Sequence, residues 1–274
     1  MAASSVKRSR RVLNVAMEHA IKHQLPKTNP LPKGREASPK TSSSIDKRAL
    51  LGPIQAARIL GAIKGRTRGG ERLHPFFATM YYAGPRPEEV VALTVADLRL
   101  PAAAATDQWG ELLIHTAQPE VGRSWTDSGA LHEERGLKGR AAEDMRAVPC
   151  RPALTRILRE HIVREALQPT DLLFQGEKGD MLAGSVIRRA WNSARKAVLA
   201  PEEQTSPLGK RVYDLRHTCL TNWLYDGVPP AQVAEWAGNS VPVLLAVYAR
   251  CVTGQLSDLK KRIEAGGDLP EAGE

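Results

Sequence analysis

Apolar residues recur at helical spacing along most of this chain and at strand spacing in only a few short stretches. Between Arg10 and Leu25, the residues Leu13, Ala16, Ala20 and Ile21 fall on one stripe, with Val12 and Val15 beside it, which predicts an amphipathic helix. One helix cannot bury its apolar face alone. It is therefore expected to dock on the rest of the chain or to belong to a domain lying mostly outside this sequence. From Pro26 to Asp46 the period disappears and Pro, Ser, Lys and Thr dominate, as in a linker.

Patterning returns near Leu50. Gly52-Pro53 opens a helix with Ile54, Ala57, Leu60 and Ile63 on one face, and proline is well tolerated in a first turn. A second helix is predicted over Leu73–Tyr82, stopping at Gly84-Pro85, and a third from Pro87 carrying Val90, Val91 and Leu93. Glu111–Thr116 and Arg146–Cys150 read as strands, and the Gly-, Asp- and Glu-rich segment between them has room for a further strand and turns. Helical spacing resumes at Leu154, Ile157, Leu158 and Ile162. After the short apolar piece Leu172-Leu173-Phe174 comes a long helix through Val186, Ile187, Ala190, Trp191, Ala194 and Val198. Three more helices are expected at Asp214–Tyr225, Pro230–Trp236 and Val241–Tyr248, with a fraying tail from Ser257. The pattern predicts an α+β chain, mainly α, with a small antiparallel β-sheet. Its expected parts are a helix (1–25), a linker (26–49), one domain (50–262) and a tail (263–274).

Composition narrows the partners. The 274 residues carry 39 Lys and Arg against 30 Asp and Glu, a formal charge of +9, which suits a polyanion whose counterions are released on binding. Three scattered cysteines, Cys150, Cys219 and Cys251, form no ligand pair and suggest reduced thiols. No apolar run approaches the roughly 18 residues of a membrane span, and the basic N-terminus lacks a signal-peptide core. A soluble, cytoplasmic protein is expected.

The sequence also holds the parts for attack on a phosphodiester. Such chemistry needs a nucleophile, cations for the non-bridging oxygens and a proton donor for the leaving 5′-oxygen. Arginine suits the second task because its planar fork pairs bidentately with phosphate and stays charged. Arg86 follows a helix-ending Gly-Pro at the mouth of the next helix, whose N-terminal amides also favour anions, and Arg216 begins another helix. Either is otherwise a surface or salt-bridge residue. Glu89, three residues after Arg86, orients a guanidinium or is a carboxylate on a helix surface. Lys138, in Gly136-Leu137-Lys138-Gly139-Arg140, reaches into a DNA groove to protonate the leaving oxygen or is a solvated loop lysine. Tyr248 is a candidate nucleophile or a core tyrosine. Its phenol, ordinarily near pKa ~10, requires cationic neighbours to become a useful attacking oxide, and the two arginines are expected to supply them.

Taken together these segments resemble the catalytic domain of the tyrosine recombinase (phage integrase) family. Gly84-Pro85-Arg86-Pro87-Glu88-Glu89 resembles the first arginine box, and Leu93-Thr94-Val95-Ala96-Asp97-Leu98 continues it. Lys138 followed by Arg146-Ala147-Val148-Pro149 resembles the hairpin lysine and its strand. Tyr213-Asp214-Leu215-Arg216-His217-Thr218 resembles the second arginine box, and Gly238-Asn239 through Tyr248, nine residues on (248 − 239 = 9), the last. The match spans roughly residues 50–262.

The resemblance implies a helical domain that cuts and rejoins double-stranded DNA through a 3′-phosphotyrosyl intermediate, without metal or cofactor. Assembly as a tetramer on DNA, through the last helix and the segment from Cys251, is implied as well. Two positions depart from the family pattern. Tyr213 stands where the box histidine is usual, and Asn239 where a histidine or tryptophan is usual. Both can donate a hydrogen bond to phosphate, but neither takes up a proton as readily as imidazole. A slower enzyme is expected, or a truncated remnant that binds DNA without cutting it, because the Arg10–Leu25 helix resembles only the last helix of the family's core-binding domain. His217 follows Arg216 on the helix, so it is expected to project about 100° away and to be a buried, hydrogen-bonded histidine rather than a replacement for the missing one.

Overall fold

The computed structural model describes residues 3–32, 45–102, 107–122, 124, 126, 128–137, 144–248, 260, 261 and 264. The chain divides into two compact units, Met1–Ser42 and Ser43–Glu274. The first holds helix α1 (Ala3–Lys22), which starts earlier and ends sooner than the apolar stripe indicated. Asn29 donates its amide to Asn14 and Glu18, and Arg10 donates to the carbonyl of Pro32, so the segment after the helix folds back along it. Val12, Val15 and Leu25 remain exposed.

The second unit is built around α3 (Gly70–Tyr82), which packs on α2 (Pro53–Lys64), α5 (Pro152–Arg164) and α8 (Asp214–Tyr225). Helix α6 (Gly184–Val198) covers α2 from another side. Phe76 and Phe77 meet edge to face at 5.2 Å, and Phe77 stacks on Trp191 at 5.7 Å, which fixes the centre of the core. Helix α3 runs through Pro75, whose missing N–H leaves the carbonyl of Glu71 without its helical partner. Arg164 donates to that carbonyl at 2.7 Å, so the proline is accommodated by a side chain from α5.

Strands β1 (Leu98–Arg99), β2 (Gly110–Ile114) and β5 (Arg146–Cys150) form an antiparallel sheet in the order β1-β2-β5, with Leu112 opposite Val148 and Ile114 opposite Arg146. A second ribbon pairs β3 (Thr116–Ala117) with β4 (Arg135–Gly136). The strand expected over Glu111–Thr116 is therefore broken at His115, whose Nε2 lies 2.7 Å from an Asp97 carboxylate oxygen as the chain changes partners. The helix expected from Pro87 is a single turn, α4 (Pro87–Val90), and Val91 and Leu93 are buried in the turn that follows. A short helix, α7 (Pro201–Thr205), was not indicated by the pattern. Helices α8, α9 (Pro230–Ala237) and α10 (Val241–Tyr248) close the unit around a second small core of Leu220, Leu224, Val233, Ala234 and Leu244. Lys138, Cys251 and the tail lie outside the described residues.

Candidate active site

Two glycines bring distant chain segments to one place. Gly84, after α3, has φ +64°, and a side chain there would press on Cys219 at 3.1 Å. Gly238 caps α9 with φ +62°, and a Cβ would lie 2.5 Å from Nη1 of Arg146. Both conditions select glycine, and both backbones turn a carbonyl toward an arginine. Nη1 of Arg216 donates to the Gly84 carbonyl and Nη2 to that of Ala237, each at 2.6 Å. Nη2 of Arg86 donates to the carbonyl of Gly238 and to Oδ1 of Asn239, each at 2.9 Å.

A carboxylate holds the charges in register. Glu89, 2% exposed, accepts from Nη1 of Arg86 at 2.8 Å and from Nη2 of Arg146 at 2.7 Å. Burial alone would push the Glu89 carboxyl up, but Arg146, then Arg86 and Arg216, outweigh it and hold it below the ordinary carboxylate value. Glu89 also accepts from the backbone N–H of Arg86, capping α4. The amide end that the sequence offered to an anion is thus partly occupied by the protein's own carboxylate. The Nε atoms of Arg216 and Arg146 are buried without a hydrogen-bond partner among the described residues.

A chain of rings leads away from Arg216. Its guanidinium lies 5.9 Å from the Tyr213 ring centroid, and Tyr213 meets His217 edge to face at 4.9 Å. Nδ1 of His217 is 2.9 Å from the hydroxyl of Tyr248. His217 is thus hydrogen-bonded as expected, though half-buried rather than fully buried, and its partner is Tyr248. The ring does leave the helix away from Arg216, but α10 brings Tyr248 to it. Tyr248 is 2% exposed, and burial raises its phenol well above the usual tyrosine value, more than Arg216 and Arg86 lower it. The expectation that the two arginines acidify the phenol fails in this state because desolvation is the larger effect. Burial, then Arg211 and Arg216 against the opposing Asp214, lowers His217 to about 4, so the imidazole is neutral near neutral pH.

The structure thus gathers Arg86, Glu89, Tyr213, Arg216, Asn239 and Tyr248 into one connected cluster, while Lys138 lies outside the described residues. Two neighbours of this cluster, Arg146 and His217, were not named from sequence as site residues. Arg146 is 2% exposed, and the alternation of β5, which buries Arg146, Val148 and Cys150 together, was the available signal. The link from His217 to Tyr248 had no local signal. Among the described residues no group of three or more His, Cys, Asp and Glu is placed to hold a metal ion, and no helix is long and apolar enough to cross a membrane.

No family model matches the chain, and no curated protein matches it by sequence. Solved structures do match. The Tn1549 transposon integrase in complex with transposon right end DNA superposes with a TM-score of 0.63 at 16% identity, over 97% of this chain and 80% of that one. The XerH site-specific recombinase bound to palindromic difH substrate, in a post-cleavage complex, superposes with a TM-score of 0.52 at 18% identity, over 80% of this chain and 54% of that one. The fold is that of the tyrosine recombinases and integrases.

Proposed function

We propose that this chain is a site-specific DNA recombinase or integrase of a mobile element, working through a 3′-phosphotyrosyl intermediate. Tyr248 attacks the scissile phosphate, the 3′-side of the DNA becomes linked to its oxygen, and the 5′-oxygen leaves as a hydroxyl. Arg86 and Arg216 pair with the non-bridging oxygens, Tyr213 and Asn239 donate to them, and Lys138 protonates the leaving oxygen. Glu89 keeps Arg86 aimed. The covalent bond conserves the energy for rejoining, so neither nucleotide nor metal enters the scheme. Double-stranded DNA is the partner, four copies act together on it, and the cytoplasm is the place of action.

One observation carries the reading: a tyrosine hydroxyl shares a buried cluster with two guanidiniums that three backbone carbonyls hold in place. Preorganised donors of this kind are each worth roughly a hundred- to a thousand-fold in rate. The test uses pooled nicked duplexes of randomised sequence, which lose a short fragment after cleavage and trap the intermediate. Protein–DNA adduct that survives denaturation is expected for the native chain and is absent from Tyr248→Phe. An adduct of equal strength in that variant removes Tyr248 from the role. A second reading, DNA binding without cleavage, draws on the deep burial of the Tyr248 hydroxyl. Salt-dependent DNA retention with no adduct on any duplex favours it.

A further inference from the structure

We propose that His217 is a catalytic residue, the base that takes the Tyr248 proton during attack. The inference rests on the transesterification reading above. Three observations converge on it. Nδ1 of His217 lies 2.9 Å from the reacting oxygen, a distance suited to direct transfer. The positions that the motif pattern marks for an imidazole hold Tyr213 and Asn239, and neither a phenol nor an amide accepts a proton readily near neutral pH. Among the described residues, His217 is the imidazole hydrogen-bonded to Tyr248.

The surroundings keep the Nδ1 lone pair free, although without substrate they make this imidazole a weaker base than a free one. Tyr213 closes on one side of the ring at 4.9 Å, and Tyr248 lies against it at 5.7 Å, centroid to centroid. The charged groups acting on it are Asp214, Arg211 and Arg216, from α8 and the turn before it. Their balance, with burial, keeps the ring unprotonated, so with its proton on Nε2 it presents a lone pair at Nδ1 to the phenol. A phosphodiester bound beside Arg216 adds a negative charge next to a cation that weakens this base. The acceptor therefore strengthens when substrate arrives.

The step balances. The Tyr248 oxygen forms a bond to phosphorus and the phosphorus–O5′ bond breaks, its electron pair leaving with the 5′-oxygen. The phenolic proton passes to Nδ1, and the leaving oxygen takes a proton from Lys138. Rejoining runs each transfer backward, with the imidazolium returning its proton to the phenolate.

The test separates a proton acceptor from a hydrogen-bonding prop. Single-turnover adduct formation is measured on the same pooled nicked duplexes made with sulfur at the bridging 5′ position, so that the leaving thiolate needs no proton. His217→Asn keeps an oxygen near the position of Nδ1 but cannot take the proton, and His217→Ala removes both. Both are expected to slow the adduct by about a hundred- to ten-thousand-fold. A polyfluorinated tyrosine at position 248, ionised near neutral pH, is expected to bring both His217 variants to within about tenfold of the native chain carrying the same residue. Melting temperature and DNA retention confirm that the variants fold, and His217→Asn carries the test if His217→Ala does not. A native rate in His217→Asn, or a slow rate that the acidic phenol leaves unchanged, overturns the inference. A native chain that forms no adduct on the sulfur duplexes overturns the cleavage reading itself and this inference with it.

Discussion

The arginine half and the tyrosine half of the site are built differently. Arg86, Glu89 and Arg146 are anchored on α4 and β5, in the body of the large core, with the one Glu89 carboxylate bridging both guanidiniums. Tyr248 ends α10, an eight-residue helix whose buried anchors are Leu244 and Tyr248, while Val243 and Leu245 stay exposed. One half is a fixed electrostatic frame, the other an apolar contact carrying a single reacting oxygen. The difference shows where such a site needs precision. Charge stabilisation works only if the donors are in place before the reaction, because reorienting them would consume the benefit.

The largest effect that can break this contrast comes from Arg216. Arg216→Lys replaces a fork spanning the carbonyls of Gly84 and Ala237 with a single ammonium that cannot reach both. Adduct formation is expected to fall about a hundred- to a thousand-fold, measured in single turnover, with DNA retention much less affected. An unchanged rate would mean that the frame is structural.

Next comes Glu89→Gln, which leaves the buried Arg146 without its counter-charge. A loss of about 3–5 kcal/mol in denaturant unfolding is expected, because breaking one partner of a buried ion pair strands the other. Acid sharpens the comparison. The folded pKa of Glu89 lies below its ordinary 4.5, so its stabilisation is complete above that pH and is lost as pH falls through the folded value. Glu89→Gln lacks that acid loss. His217 titrates near 4 rather than 6.5, so the unfolded chain binds its proton first and stability drops between pH 6.5 and about 4. His217→Asn is expected to flatten that upper window and leave the lower one, as read by melting temperature against pH.

The smallest effect belongs to Asn239→Ala. It removes one of the three side-chain bonds of Arg86 and leaves those to Glu89 and Gly238. A loss of about 1 kcal/mol, roughly fivefold in adduct rate, is expected. A hundredfold loss would make Asn239 as strong a donor to the phosphate as the arginines rather than the weak one expected of a neutral amide.

Strongly patterned elements were readable in advance. The helices Asp214–Tyr225 and Val241–Tyr248 and the strand Arg146–Cys150 have the bounds that their patterns indicated. Proline and glycine signals at Pro53 and Gly84 mark real helix ends. Weak signals failed where an element is short. Helix α4 ends after one turn because Val91 and Leu93 are buried without continuing it, and the strand after Glu111 breaks where His115 meets Asp97. Six of the seven site residues named from sequence gather in one cluster, with Lys138 outside the described residues.

Sequence alone determined the spacing of reactive groups, the basic charge and the helix-rich pattern, because each depends on residue identity and near neighbours. Tertiary structure decided which groups meet. The Glu89–Arg146 pair joins positions 57 residues apart, Arg86 reaches Gly238 across 152, and His217 reaches Tyr248 across 31. It also decided their acidity. Desolvation and the field of a charge depend on what packs around a group, so the raised phenol and the lowered imidazole arise only once the chain has folded.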